Sequence, residues 1–343
     1  MGSWVLLFMG TDVTAWPLSA EDYAHGVRAG DVTVLARAIT LVESTLGRHG
    51  ETAGELMQLL LPHRGNTVRI GITGVPGVGK STFIEAFGLF LCEAGHRVAV
   101  LAVDPTSAIS GGSILGDKTR MEKLSRHPAA YIRPSPSGGA LGGVTRKTRE
   151  TITLCEAAGY DVVLVETVGV GQSEIAVRSM TDFFLLLALT GAGDELQGIK
   201  KGIVEMADGM AVTKADGDNV IAAERLKLEL AQVLHFLAPA TAGWQPEVLT
   251  CSALKGSGIE DVWKLVERFR AEMTASGGWA ARRLGQVREG LVDFAQEQVL
   301  AGMMQSEVVR EGLRNFAGGV AEGKMTLRAA AKRIAGDFLR EQG

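Results

Sequence analysis

The chain has 343 residues, 46% of them hydrophobic, which is enough for a substantial core and suggests about two domains. Its formal net charge of −4 provides no overall basic field, so we expect no nucleic-acid partner. The three cysteines, Cys92, Cys155 and Cys251, lie far apart and form no metal-ligand pattern. Such a sparse, odd number fits a reducing compartment, and we expect a cytoplasmic protein.

The N-terminal part of the chain predicts a tail followed by helices. A short apolar run at residues 5–9 is interrupted by Asp12 and is too short for a secretory core or a membrane span. We expect residues 1–16 to be flexible, and no other run is long enough to cross a bilayer, so we expect no membrane partner. Residues 17–65 alternate at helical spacing, with Asp31 as a capping residue, and predict an N-terminal helical segment.

Residues 66–275 have the pattern of an α/β domain. Short apolar runs alternate there with amphipathic stretches: VRIGIT, RVAVLAV, DVVLVE, FFLLLAL, GMAVT and PEVLTCS. Runs of this kind are typical of strands buried on both faces, so they predict a mostly parallel sheet covered by helices.

Residues 276–343 contain no strand-like run. Leu291, Phe294, Ala295 and Val299 share one helical face, and the stretches AGM and FAGGVAEGK are expected to break the helices. The pattern predicts a helical arm, which can pack on a second copy of the chain or fold back on its own sheet. We expect a dimerisation arm and a homodimer.

The stretch GVPGVGKST at residues 74–82 has the spacing of a phosphate-binding loop between a strand and a helix. Backbone N–H groups in such a loop face a pyrophosphate, and the following helix N-terminus adds a favourable dipole. We expect Lys80 to neutralise the β- and γ-phosphates and Ser81 to bind Mg²⁺. The remaining loop positions are Gly74, Val75, Pro76, Gly77, Val78, Gly79 and Thr82.

Acidic residues follow two of the predicted strands. Asp104 ends RVAVLAV and Glu166 ends DVVLVE, so both belong at the carboxyl edge of the sheet, where ligands bind. Each can hold Mg²⁺ directly or through water, or merely cap a turn. Asp117 is a third candidate, with a solvated loop charge as the alternative.

The stretch VTKADGDN at residues 212–219, the base-reading loop, has the features expected of a loop that recognises guanine. A carboxylate can accept hydrogen bonds from the ring N–H and the exocyclic amine of guanine, a pair of donors that adenine lacks. We assign this role to Asp216, with the aliphatic stem of Lys214 lying along the base. The later loop CSALKG contributes Ser252, Ala253 and Leu254, and the Ala253 N–H can meet the guanine carbonyl oxygen.

Taken together, GVPGVGKST, VLAVDPTS, ETVGVGQSE, GDELQGIKKG, KADG and CSALKG resemble the MeaB/ArgK family of P-loop GTPases, over nearly the whole chain. The resemblance implies a fold of the signal-recognition-particle/MinD-like class. It also implies a homodimeric G protein that binds an adenosylcobalamin-dependent methylmalonyl-CoA mutase, gates cofactor loading and protects the enzyme. Asp104 and Glu166 would then serve the metal and the switch. GDELQGIKKG would correspond to a mobile partner switch with Asp194, Lys200 and Lys201 as its charged members.

Two positions depart from the common GTPase pattern. Thr213 stands where asparagine usually precedes the lysine, so one amide contact to the purine would become a hydroxyl. The usual Asp-x-x-Gly switch begins here with Glu166, whose longer carboxylate can reach a metal-bound water.

The hydrolytic machinery is less evident in the sequence. Gln172 is a candidate for orienting water, and Arg146, Lys147 and Lys201 are candidates for the balancing cation, although loop cations are more often solvated. We therefore expect slow GTP hydrolysis that a partner accelerates by ordering the switch loops.

Three alternatives stay open. A P-loop kinase of the ArgK amino-acid-transport type needs a second substrate pocket, for which no motif is evident. A binding module would hold nucleotide tightly with incidental turnover. A nickel-insertion metallochaperone GTPase would carry clustered histidines or cysteines, whereas the six histidines here are scattered.

Overall fold

The computed structural model describes residues 18–44, 46–63, 65–103, 121–133, 141–167, 173–191 and 201–342, without the side chains of 141–144, 201 and 342. The strands in these residues are β1 (Val68–Gly74), β2 (Val98–Val103), β3 (Ala130–Arg133), β4 (Val162–Thr167), β5 (Phe183–Ala188), β6 (Gly209–Val212) and β7 (Glu247–Thr250). The helices are α1 (Ala20–Arg28), α2 (Val32–Glu43), α3 (Gly47–Leu60), α4 (Lys80–Glu93), α5 (Glu122–Ser125), α6 (Leu141–Ala157), α7 (Ser173–Arg178), α8 (Lys201–Met206), α9 (Val220–Phe236), α10 (Ile259–Ala275), α11 (Gly278–Gln305), α12 (Glu307–Ala321) and α13 (Leu327–Gln342). Short 3₁₀ turns occupy Leu61–His63 and Gly217–Asn219.

The strands form one seven-stranded sheet in the order β3-β2-β4-β1-β5-β6-β7, and every pairing is parallel. The predicted parallel sheet covered by helices is thereby confirmed, and the six apolar runs coincide with β1, β2, β4, β5, β6 and β7. Strand β3 was not predicted, because it has four residues and its two end positions are partly exposed, so it lacks a continuous apolar run.

The central strand β1 lies between β4 and β5. In this register Ile72 is the neighbour of Glu166 on β4, and Gly74 is the neighbour of Leu187 on β5. The carboxyl ends of these strands therefore meet at one edge of the sheet. Ligands of open parallel sheets bind at this edge, where the chain leaves successive strands toward opposite sides.

Apolar side chains cover both faces of the sheet. On one face α4 and α10 supply aromatic rings: Phe83 stacks on Phe87 with ring centroids 5.4 Å apart, and Phe269 meets Phe183 edge-on at 5.1 Å. These helices fix the position of the loop that precedes α4, because fully buried aromatic residues contribute much of the packing free energy.

The N-terminal helices share a core with the other face. Tyr23, Leu35 and Ile39 are fully buried in a cluster that includes residues of α6, β2 and β4. Asp31 caps α2 as predicted, since its carboxylate accepts hydrogen bonds from the N–H groups of Thr33 and Val34 at 2.8 and 3.0 Å.

The chain divides into two compact units, Met1–Ala280 and Ala281–Gly343. The AGM stretch does not break its helix, because α11 continues to Gln305; the break comes at Ser306, whose hydroxyl caps α12. Helices α12 and α13 pack closely, since a Cβ at Gly312 would lie 2.8 Å from Ile334. No helix in the described ranges has the length and hydropathy needed to cross a bilayer.

A buried carboxylate at the start of β6 allows a test of the sheet's stability. Asp208 is fully buried and accepts hydrogen bonds from the Phe184 N–H at 2.9 Å and the Thr241 hydroxyl at 2.5 Å. We expect Asp208→Ala to lower the free energy of unfolding by about 3 kcal/mol, because buried donors lose their acceptor. Urea denaturation measures this change.

The matched control is Glu267→Ala, which removes an exposed carboxylate from α10. It should change the free energy of unfolding by no more than about 0.5 kcal/mol. Equal urea midpoints for the two variants would show that Asp208 does not stabilise the sheet.

Candidate nucleotide-binding site

The loop between β1 and α4 has the geometry of a phosphate cradle. Gly77 and Gly79 have φ angles of 81° and 94°, in the left-handed region that glycine adopts without strain. At Gly74 a Cβ would lie 2.7 Å from the Leu187 carbonyl oxygen, so a side chain does not fit. No side chain caps α4, and its first backbone N–H groups can therefore donate hydrogen bonds to an anion.

The Lys80 side chain folds back over this loop. Its ammonium donates a hydrogen bond to the Gly74 carbonyl oxygen at 2.7 Å. Burial lowers the pKa of Lys80 below its ordinary value of 10.5, and the carboxylates of Glu166 and Glu174 oppose that shift. Phosphate oxygens would give this partly desolvated cation an anionic partner, which favours its charged form.

Ser81 and Glu166 lie together beside the loop. The Ser81 hydroxyl is 3.4 Å from Oε1 of Glu166, which is buried at the end of β4. Hydroxyl and carboxylate oxygens are suitable ligands for Mg²⁺, which is commonly held by one or two protein groups together with phosphates and waters. Within the described residues no cluster of three or more His, Cys, Asp or Glu could hold a metal alone. The donor set thus fits a Mg²⁺ shared with a phosphate.

The predicted base-reading residues come together at the ends of β6 and β7. The Ser252 hydroxyl donates to the Asp216 carboxylate and accepts from the Lys255 N–H at 3.1 Å. The carboxylate keeps acceptor capacity for a ligand, because its two oxygens offer about four lone-pair sites. A tight turn supports the loop that contains Ser252, because a Cβ at Gly258 would lie 2.2 Å from the Thr250 carbonyl oxygen.

Thr213 and Lys214 join the base-reading loop to the phosphate cradle. The buried Thr213 hydroxyl donates to the Val78 carbonyl oxygen at 2.7 Å, and the Lys214 ammonium donates to that of Gly77 at 2.9 Å. From the sequence, we expect the Thr213 hydroxyl to stand in for an asparagine amide that contacts the purine. In the structure it donates instead to the backbone of the phosphate cradle. This pair of hydrogen bonds sets the distance between the two halves of the site.

The other predicted residues differ in their exposure and contacts. Pro76 and Thr82 are exposed, Val75 and Ala253 are half-buried, and Leu254 is 80% exposed. Of the cation candidates, Arg146 lies 3.9 Å from Glu150, Lys147 is buried, and Lys201 begins α8 with its side chain undescribed. The candidates outside the described residues are Asp104, Asp117, Gln172, Asp194 and Lys200.

Sequence reasoning missed three features of the site. Glu174, fully buried at the start of α7, affects Lys80 electrostatically. The Thr167 hydroxyl bonds that of Thr73 at 2.9 Å and ties β4 to β1. Asn219 bonds the Lys214 carbonyl oxygen at 2.8 Å. Asn219 lies in VTKADGDN, and Thr167 and Glu174 lie in ETVGVGQSE, so each had a place in a motif; the contacts themselves depend on tertiary packing.

The hydrogen bond from Thr213 to Val78 can be tested by isosteric substitution. We expect Thr213→Val to lower the free energy of unfolding by about 1–3 kcal/mol, because the Val78 carbonyl oxygen loses its donor. The dissociation constant for GDP should rise at the same time, since the phosphate cradle is no longer fixed. Denaturant titration and calorimetric GDP titration measure the two effects.

Thr213→Ser is the matched control, because it keeps the hydroxyl and removes only a methyl group. If valine and serine at this position bind GDP equally well, the hydroxyl does not position the cradle.

The family model described as methylmalonyl Co-A mutase-associated GTPase MeaB matches residues 35–308. A probable GTPase of Mycobacterium tuberculosis is 52% identical over 316 residues, which are 92% of this chain and 94% of that protein. The Mus musculus protein named methylmalonic aciduria type A homolog, mitochondrial, is 50% identical over 296 residues, covering 83% of this chain and 71% of the mouse protein.

A solved structure supports the same relationship. The crystal structure of a protein named LAO/AO transport system kinase is 39% identical, with a TM-score of 0.73, and the match covers 94% of this chain and 97% of that one. The phosphate cradle, the base-reading loop and these matches agree with one another. The chain therefore belongs to the MeaB family of methylmalonyl-CoA mutase-associated GTPases.

Proposed function

We propose that this GTPase is a homodimeric, Mg²⁺-dependent chaperone that binds an adenosylcobalamin-dependent methylmalonyl-CoA mutase, gates cofactor loading and protects the enzyme from inactivation. The observation that carries the proposal is the connection between the phosphate cradle and the loop that holds the Asp216 carboxylate, in a chain of the MeaB family. The family description names the mutase as the associated enzyme.

Guanine selection is assigned to Asp216. Its carboxylate is oriented by the Ser252 hydroxyl and can accept from both the ring N–H and the exocyclic amine of guanine. An adenine base would leave this carboxylate short of donors, and a site built to pair with polar groups rejects analogues that lack them. Lys214 supports the base through its stem, while its ammonium stays on the Gly77 carbonyl oxygen.

Phosphate and metal binding are assigned to the loop, Lys80, Ser81 and Glu166, with Asp104 and Asp117 as further metal candidates. A bound Mg²⁺ would neutralise charge on the phosphate oxygens during transfer. Lys80 would add a second cation on the same phosphates. The close approach of Ser81 and Glu166 supports a hydroxyl ligand beside a carboxylate that accepts from a metal-bound water.

We expect hydrolysis by the isolated protein to be slow. Gln172 is proposed to orient the attacking water, and Arg146, a candidate for the balancing cation, lies 3.9 Å from Glu150. A partner that preferentially binds the arrangement of the switch loops that is competent for hydrolysis would accelerate the reaction. The segment containing Asp194, Lys200 and Lys201 is proposed to carry that signal to the mutase.

The second unit is proposed to form the dimer. Helix α11 carries exposed apolar side chains at seven- or eight-residue spacing, Leu284, Leu291 and Val299, each more than half exposed. A row of this kind on one side of a helix is costly in water and is typical of a helix that packs on another. Residues 276–343 would thus act as the dimerisation arm.

Phosphate release from GTP and from ATP, with and without purified methylmalonyl-CoA mutase, tests the proposed function. We expect slow GTP turnover that rises about tenfold or more with mutase, while ATP turnover stays low in both cases. Lys80→Ala should reduce the stimulated rate to background and thereby control for contaminating phosphatases.

An unchanged GTP rate with mutase would contradict the proposed partner. A preference for ATP would contradict the guanine assignment. A phosphorylated small molecule instead of free phosphate would favour the ArgK-type kinase, and tight binding of a nickel ion would favour the metallochaperone alternative.

The proposed switch can be tested separately from nucleotide binding. We expect Lys200→Ala to keep the wild-type dissociation constant for GDP and to weaken mutase-stimulated hydrolysis, because the lysine would act on the partner. Lys264→Ala is the matched control, an exposed lysine on α10 that pairs with Glu260 at 2.9 Å. Equal stimulation of both variants would remove Lys200 from the signalling surface.

A further inference from the structure

Asn219 occupies the position immediately before α9, where asparagine ordinarily caps a helix. Its φ and ψ of −86° and −8° are not those of a cap, and its side chain makes no capping hydrogen bond. The amide bonds elsewhere: Nδ2 donates to the Lys214 carbonyl oxygen at 2.8 Å, and Oδ1 accepts from the Thr190 hydroxyl at 2.5 Å. Helix capping therefore does not explain this residue.

The contact falls on the strained residue of the base-reading loop. Lys214 has a φ of 56°, and in the described part of the chain it is the one non-glycine residue with a positive φ. That conformation is strained for an L-residue. The Lys214 carbonyl oxygen also accepts from the Asp216 N–H at 2.9 Å, so two donors hold the peptide group that follows the strained angle.

The Lys214 carbonyl oxygen determines which end of the Asn219 amide faces the loop, and the Thr190 hydroxyl binds the other end. A backbone carbonyl oxygen only accepts, so the loop requires the NH₂ end of Asn219. By donating to Oδ1, Thr190 binds the opposite end and keeps the NH₂ group on Lys214. Thr190 lies just beyond the end of β5, and the arrangement thus connects that strand to the base-reading loop.

The same contacts surround Asp216. Its N–H bonds the Lys214 carbonyl oxygen, and its own carbonyl oxygen accepts from the Asn219 N–H at 3.0 Å. We propose that Asn219 is a positioning residue for guanine specificity, which holds Lys214 in its left-handed conformation and thereby aims the Asp216 carboxylate at the base. This inference rests on the guanine-reading role proposed above for Asp216.

The test compares GDP with inosine diphosphate, which lacks the exocyclic amine, by calorimetric titration of the full chain. We expect Asn219→Ala to weaken GDP binding about tenfold and inosine diphosphate binding less. The hydrogen bond from the exocyclic amine of guanine to Asp216 depends most on the orientation of the carboxylate, and inosine diphosphate lacks that amine. Asn219→Asp lacks the donor and should behave like alanine. Thr190→Val should give a smaller change in the same direction, and Asn66→Ala, at an exposed asparagine, should give none.

Glycine at the strained position provides a second, independent measurement. Glycine adopts a positive φ without help, so Asn219→Ala should weaken GDP binding much less in a Lys214→Gly background than in the wild type. In steady state the Asn219→Ala variant should raise the KM for GTP more than it lowers kcat.

An equal loss for GDP and inosine diphosphate would overturn the proposal, because a general loosening of the loop would act on both. An undiminished effect of Asn219→Ala in the Lys214→Gly background would also overturn it. Asp216→Ala is measured in parallel. If Asp216→Ala removes the preference for GDP over inosine diphosphate and Asn219→Ala does not, only the positioning role of Asn219 fails. If Asp216→Ala leaves that preference intact, the guanine assignment and this inference fail together.

Discussion

The parallel arrangement of the sheet around β1 is the constraint on which the rest of the site depends. Because β1 lies between β4 and β5 and all pairings are parallel, the loops after these strands leave from the same edge. The phosphate loop, Glu166 and the segment leading to Thr190 are thus neighbours, although they lie far apart in sequence. Strands β6 and β7 extend this edge and bring Asp216 and Ser252 to it.

The two halves of the nucleotide site are connected by side chains that bond to backbone carbonyl groups. Thr213 and Lys214 bond the phosphate loop, and Asn219 bonds Lys214. Such contacts fix the backbone rather than a particular side chain, so they set the spacing between the phosphate cradle and the base-reading loop. Pre-organisation of this kind reduces the conformational entropy lost on binding.

Electrostatic balance at the phosphate end follows from burial. Lys80 is partly desolvated, and its charge is supported by the buried carboxylates Glu166 and Glu174 and by a carbonyl oxygen. A nucleotide phosphate would provide a stronger partner for the same cation. The cation proposed to bind phosphate is thereby held in place by groups at the edge of the sheet.

The sequence by itself determined the strand pattern, the phosphate loop, the base-reading loop and the family resemblance, because these depend on local periodicity and on short motifs with fixed spacing. It missed β3, whose four residues lack a continuous apolar run, and it placed a helix break at AGM, where α11 continues. Only the tertiary structure decided the strand order, the direction of the Thr213 hydroxyl, the burial of Glu174 and the partners of Asn219. Each of these is set by contacts between segments distant in sequence, whose geometry depends on the packing of the whole sheet and leaves no local periodicity to read.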